Sequence, residues 1–196
     1  MNTSTGHQAA YKFTGTQGTG NYALDTWSPA EAAGSTNLYR HKDAMYYMPT
    51  EDEWVKAAYW NGTSLQTWAT PDNTPPVQHV EANYDWNSWW PWDVGSGSEE
   101  LNGTYDMMGN VWEWMESPYS DQSYGTGSTR GVRGGSYVSA VISLASYYRY
   151  VSDACYAPSA ETNVIGLRVA SEVPEPSSLG LALFGGLVLL KRRRRA

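Results

Sequence analysis

The chain has 196 residues, 41% of them hydrophobic and only 17% charged, long enough to bury a real core in one domain and leave a tail. Five of the thirteen basic residues lie in Lys191 to Arg195, so the body keeps 8 basic against 20 acidic residues, a net of about −12, which argues against nucleic acid as a partner. Cys155 is the single cysteine, which excludes an intrachain disulfide and any multi-cysteine metal site within one chain.

Residues 1–45 are rich in Gly, Thr, Ser and Asn with short aromatic punctuation such as "GNYALDTW", and read as loops with brief strands. The opening "MNTSTGHQAAYKFTG" has neither a basic nor an apolar run of the secretory kind, which predicts that the chain is missing its beginning. His7, His41 and His79 are scattered without ligand spacing and are expected at the surface. In "MPTEDEWVKAAYWNG", Thr50 and Glu53 form a capping box, Glu51 and Asp52 suit the positive helix start, and Trp54, Ala57 and Ala58 recur at helical spacing. A helix of about ten residues is predicted, stopped by Asn61-Gly62 and packed on a core through Trp54.

Residues 61–104 are punctuated by Pro and Gly over a stretch too long for an ordinary connection, hence functional or disordered. Four tryptophans within Trp86 to Trp92 argue against disorder, because that composition buries area readily. "YDMMGNVWEWM" follows. Written as a strand, it puts Trp112 and Trp114 on one face and Val111, Glu113 and Met115 on the other. A carboxylate among such neighbours must be paired, be protonated or bind a metal. A Gly109-Asn110 turn lets Asp106 approach Glu113, and oxygen-only ligands of that kind favour calcium; the competing reading is a salt bridge from Glu113 to Arg133, Arg149 or Arg168. Gly134-Gly135 in "RGGSY" allows close backbone approach or a bulge, Leu167 and Val169 alternate as a closing strand would, and the three arginines read as framework residues that pair with the acidic body.

The last segment, "VPEPSSLGLALFGGLVLLKRRRRA", joins a Pro-Glu-Pro linker to an apolar run from Leu179 to Leu190 and a basic cluster. As a helix those residues span roughly 18 Å, short of the roughly 30 Å hydrocarbon core. The basic cluster would stay cytoplasmic, placing everything before Val173 outside the membrane. The three parts, with Pro174, Glu175 and Pro176 at one end and Arg192, Arg193, Arg194 and Arg195 at the other, resemble the PEP-CTERM sorting signal of exported bacterial proteins. That resemblance implies an exosortase-type sorting protease as partner, anchoring in the cell-envelope membrane through the tail before processing, and a mature protein in the envelope or the extracellular matrix.

"MPTEDEW..KAAYW", "GTYDMMGNVWEWM", "RGVRGGSY" and "NVIGLRVAS", running from about Met48 to Ser171, resemble the sulfatase-modifying-factor domain, the family of the formylglycine-generating enzyme. The resemblance implies an α+β domain akin to the C-type-lectin-like fold with much irregular structure, over residues 1–172 and N-terminally incomplete, followed by the tail at 173–196 with its short apolar helix. It also implies one calcium at Asp106 and Glu113 through side chains and at Gly109 and Val111 through carbonyls, and a second beginning at Asn83 and the Tyr84 carbonyl, whose remaining ligands find no match in "DWNSWWPWDV". Catalysis in the family uses two cysteines shortly after RGGS to hold copper(I). Here Ser139 stands near the first position and no thiol appears before Cys155, so copper and a catalytic residue are not expected. Two readings follow: a non-catalytic, calcium-stabilised module whose Trp- and Tyr-rich surface, with Trp89 and Trp90 foremost, contacts an exopolysaccharide or other glycan; or an oxidase acting on a sulfatase cysteine or another thiol.

Overall fold

The computed structural model describes residues 3–86, 88–119, 124, 129–149 and 162–172. Its α-helix, α1 (Glu51–Tyr59), starts where side-chain chemistry dictates. Thr50 is extended, its Oγ1 accepts the Glu53 N–H, and the Glu53 carboxylate accepts the Thr50 N–H, which is the expected capping box. Trp60 leaves the helix in extended backbone, and Asn61 Oδ1 accepts the N–H groups of Thr63 and Ser64 to turn the chain away. The buried side chains are Trp54, Ala58 and Tyr59; Ala57, expected on that face, is exposed because a nine-residue helix shows the core only a narrow stripe.

Strands β1 (Lys12–Thr14) and β2 (Ala23–Asp25) pair antiparallel, as do β3 (Tyr46–Tyr47) and β7 (Ala170–Ser171). The framework is a three-stranded sheet. Its centre is β4 (Trp112–Pro118), with β5 (Arg130–Arg133) antiparallel on one edge and β6 (Ile165–Leu167) parallel on the other. The period-2 reading of β4 holds: Trp112 packs with Val132, Trp114, Tyr148, Val164 and Ile165, whereas Met115 joins the main core with Trp54, Tyr59, Met107, Met108 and Leu144. Trp54 is the largest wholly buried side chain of that core, and truncating such a ring costs about 3–5 kcal/mol.

Two glycines let backbone approach backbone at this centre. Gly109 (φ 81°) lies so close to Asn83 that a Cβ would stand 2.2 Å from the Asn83 carbonyl oxygen; Gly134 (φ 95°) would put one 2.9 Å from that of Met107. The close approach expected of the Gly pair is therefore real.

Several expectations are corrected. Residues 61–104 form no strand or helix among those described, yet they are held by turns and by isolated bridges such as Asn83 to Gly109. Trp86, Trp89 and Trp90 are 58%, 75% and 69% exposed, so this cluster does not bury itself; its backbone is pinned instead. His41 is buried, its ring edge-on to Trp27 at 4.6 Å, where the imidazole packs as an aromatic. Leu167 ends the edge strand β6, the expected closing strand, but its side chain and that of Val169 are exposed and line an apolar groove of about 540 Å³ with Phe13, Tyr46 and Tyr47. Among the described residues no helix is long and apolar enough to cross a membrane. Cys155, the apolar run and the sorting residues Pro174 to Pro176 and Arg192 to Arg195 lie outside the described residues.

Candidate functional site

Glu113 is carried on the central strand, opposite Arg133 and Gly166, with its side chain buried. Three donors converge on its carboxylate. Arg168 Nε donates to Oε2 at 2.9 Å and Nη2 to Oε1 at 2.7 Å, a two-pronged pair, and Trp54 Nε1 donates to Oε2 at 2.6 Å. Burial alone would lower the Arg168 guanidinium's pKa, but the Glu113 carboxylate, with Glu100 and Asp106 nearby, raises it instead. Of the alternatives left open by spacing, the arginine pairing is the one formed, and Arg168 is the partner. Arg133 and Arg149 both bind Glu51, at 2.6 and 2.8 Å from their Nε atoms to Oε1.

The side chains of the expected calcium set have other partners in this arrangement. Both Glu113 carboxylate oxygens are already taken by the Arg168 guanidinium. The Asp106 carboxylate turns to the Gly95 N–H, with 2.7 Å from Oδ2, and Asp106 itself holds a left-handed conformation (φ 58°). Gly109 gives its N–H to the Gly134 carbonyl, and Val111 precedes the strand beside Gly166. As placed, the Asp106 and Glu113 carboxylates are occupied by Gly95 and by Arg168 with Trp54, so neither is free toward a shared calcium ion. At the second expected site the fit is better but partial. Asn83 is 1% exposed and its Oδ1 has no hydrogen-bond partner, an orphaned buried oxygen of the kind a hard cation or a water satisfies. The Tyr84 carbonyl accepts from Gln78 Nε2 at 2.8 Å.

The tryptophan cluster sits directly over this centre. Asp85 and Trp86, both with φ near 57°, donate their N–H groups to the carbonyls of Ser139 and Tyr137 at 2.8 Å. Asn83 Nδ2 donates to the Trp90 carbonyl at 3.1 Å, and Asn110 Oδ1 accepts the Trp92 N–H at 2.7 Å. Asn110 in turn gives its N–H to the Asn83 carbonyl. The exposed rings thus ride on backbone fixed by two buried asparagines, and Trp86 meets Trp89 edge to face, centroids 6.3 Å apart.

Ser139, near the first thiol position of the resembled family, serves the same frame. Its Oγ accepts the Ser136 N–H at 3.0 Å and lies 3.0 Å from Ser136 Oγ, while its carbonyl holds Asp85. A hydroxyl closing a turn cannot stand in for a thiolate toward copper(I), so the residues do not fit that metal and support no redox step through it.

Two buried carboxylates escaped the sequence reading. Glu116 accepts both Arg40 Nε contacts at 3.0 Å and the Tyr11 hydroxyl at 2.9 Å, and the separations of 76 and 105 residues leave no local signal. Glu100 accepts the N–H groups of Met107 and Met108 and the Thr104 hydroxyl. Burial pushes its carboxyl up to about 7 although those hydrogen bonds and Arg168 pull it down.

The structure is thus an irregular α+β domain whose buried central strand begins within GNVWEW and whose Gly pair lies in RGGS; the sulfatase-modifying factor enzyme 1-like domain matches residues 9–173, and the chain belongs to that family. The PEP-CTERM protein-sorting motif matches residues 172–195, which makes this an exported, envelope-associated protein sorted by the exosortase route. The chain is similar to the formylglycine-generating enzyme of Streptomyces coelicolor, 28% identical over 148 residues, covering 64% of this chain and 46% of that one. It is also similar to the hercynine oxygenase of Mycobacterium tuberculosis, 31% identical over 106 residues, covering 46% and 25%. It therefore spans less than half the length of either relative. Among solved structures, Treponema denticola variable protein 1 (TM-score 0.58, 23% identity, covering 72% of this chain and 53% of that one) and CarF (TM-score 0.58, 24% identity, covering 88% and 62%) share the fold.

Proposed function

We propose that this protein is a non-catalytic binding module, exported to the envelope, that contacts a glycan through the tryptophan face at Trp86, Trp89 and Trp90. The observation that carries the reading is the combination of high exposure with a pinned backbone: three indole rings held out in water on a fixed frame lose little conformational entropy when a sugar ring stacks on them. The oxidase alternative needs two thiolates, and the chain has one cysteine. Calcium belongs to this reading at Asn83, where the orphaned Oδ1 offers one hard oxygen beneath the Trp90 carbonyl.

The test is a glycan-binding screen with Trp89→Ala and Trp90→Ala beside the parent. At about 1–2 kcal/mol per lost aromatic contact, each substitution weakens binding by roughly five- to thirtyfold. Unchanged affinity in both would end the proposal. Oxygen consumption with Cu(I) and a cysteine peptide separates the oxidase: the module is inert. Calcium raises the melting temperature of the parent and leaves that of Asn83→Ala unmoved; equal responses remove calcium from the scheme.

A further inference from the structure

The charge around the tryptophan face specifies more than a sugar. Between Lys56 and Arg130 the sequence holds no Lys or Arg and ten acidic residues. Two of these, Glu113 and Glu116, are neutralised by Arg168 and Arg40, which arrive from outside the segment. Asp85 and Asp93, which bracket the exposed rings in sequence, are themselves exposed and form no ion pair among the described residues. Indole faces carry negative quadrupole density, so the exposed rings and these two carboxylates act with one sign, with the His79 ring, 5.5 Å from that of Trp92 and lining one pocket with Asp93, the basic group beside them: the rings and carboxylates attract cations and repel polyanions.

Resting on the glycan reading above, we infer that the ligand of this face is a cationic glycan, a chain of amino sugars with free ammonium groups, and not an acidic exopolysaccharide. Each ring stacks on the apolar face of a sugar, and an ammonium at the rim of that sugar can make a cation–π contact with a neighbouring ring in a segment that carries exposed carboxylates and no lysine or arginine. A uronate chain would bring its own carboxylates against Asp85 and Asp93. An N-acetylated chain keeps the stacking and loses the charge.

The experiment is isothermal titration of the full chain at about pH 5.5, where the free amines of glucosamine are ammonium groups, with hexamers of glucosamine, N-acetylglucosamine and guluronate. The glucosamine hexamer is expected to bind about tenfold more tightly than the acetylated one, with the gap closing in about 0.5 M salt, and guluronate is expected not to bind. Asp85→Asn with Asp93→Asn should erase the preference while leaving the acetylated hexamer's affinity in place; neither residue is buried, so folding is not at stake. Equal binding of the two hexosamine chains, a gap that persists in salt, or tighter binding of guluronate overturns the charge inference and leaves glycan binding standing. Failure of all three hexamers to bind counts against both proposals together.

Discussion

Replacing Arg168 by methionine isolates the pairing on which the domain's centre depends. Glu113 has 8% of its side chain exposed and Arg168 30%, so the substitution leaves a carboxylate in the core with Trp54 Nε1 as its remaining donor. Removing one member of a buried pair costs about 3–5 kcal/mol, and because Arg168 keeps partial contact with water the low end, about 3 kcal/mol, is the appropriate figure. For a domain of this size that corresponds to a fall of about 6–12 °C in melting temperature. Glu113→Gln alone strands a guanidinium that can reach water, so its cost should be smaller. In the double variant, Arg168→Met with Glu113→Gln, neither charge is stranded, and part of the loss should return as a coupling of about 2 kcal/mol. Urea denaturation of all four proteins gives the cycle directly. A single-variant loss below about 1 kcal/mol, or a coupling indistinguishable from zero, would show that Arg168 is not what neutralises Glu113.

Gly109→Ala should cost at least about 3 kcal/mol, since left-handed strain adds to a Cβ pressed on the Asn83 carbonyl, whereas Gly62→Ala, also left-handed but with open space around it, should cost about 1 kcal/mol; similar urea midpoints for the two would refute the close-approach argument. Glu100 supplies a pH signature. Its folded pKa of about 7 lies above the unfolded value of 4.5, so between those limits the folded state holds the extra proton and stability falls as pH rises through the window, by up to about 3 kcal/mol. The difference in unfolding free energy between the parent and Glu100→Gln, followed from pH 4.5 to 7, should carry that slope; a flat difference would place the proton elsewhere.

What the sequence disclosed depended on the range of the interaction. The capping box of α1 and the two faces of β4 are local patterns, written within a few residues, and the structure forms both. Exposure was harder: the density of tryptophan between Trp86 and Trp92 signals burial by composition, but this backbone spends its polar groups on Ser139, Tyr137, Asn83 and Asn110, which fixes the loop from beneath and leaves the rings outside. The sequence contains both buried asparagines, yet nothing in their local context separates a frame-holding amide from a turn residue.

Glu113 shows where residue chemistry alone stops. The apolar neighbours left the carboxylate to be paired, protonated or metal-bound, and the sequence offered three arginines; choosing among them required knowing which group the chain returns to that point, 55 residues later. Arg168 comes back just after β6, which runs parallel to β4 with Trp112 beside Ile165 and Trp114 beside Leu167. Arg133, though directly opposite Glu113 in register, is drawn off to Glu51 at the start of α1, where Arg149 joins it. Each carboxylate thus takes the guanidinium whose strand geometry delivers the planar fork to it, and adjacency in the ladder does not decide the matter. A lysine at 168 would retain the charge but not the two-pronged bond, so Arg168→Lys should recover only part of what Arg168→Met loses.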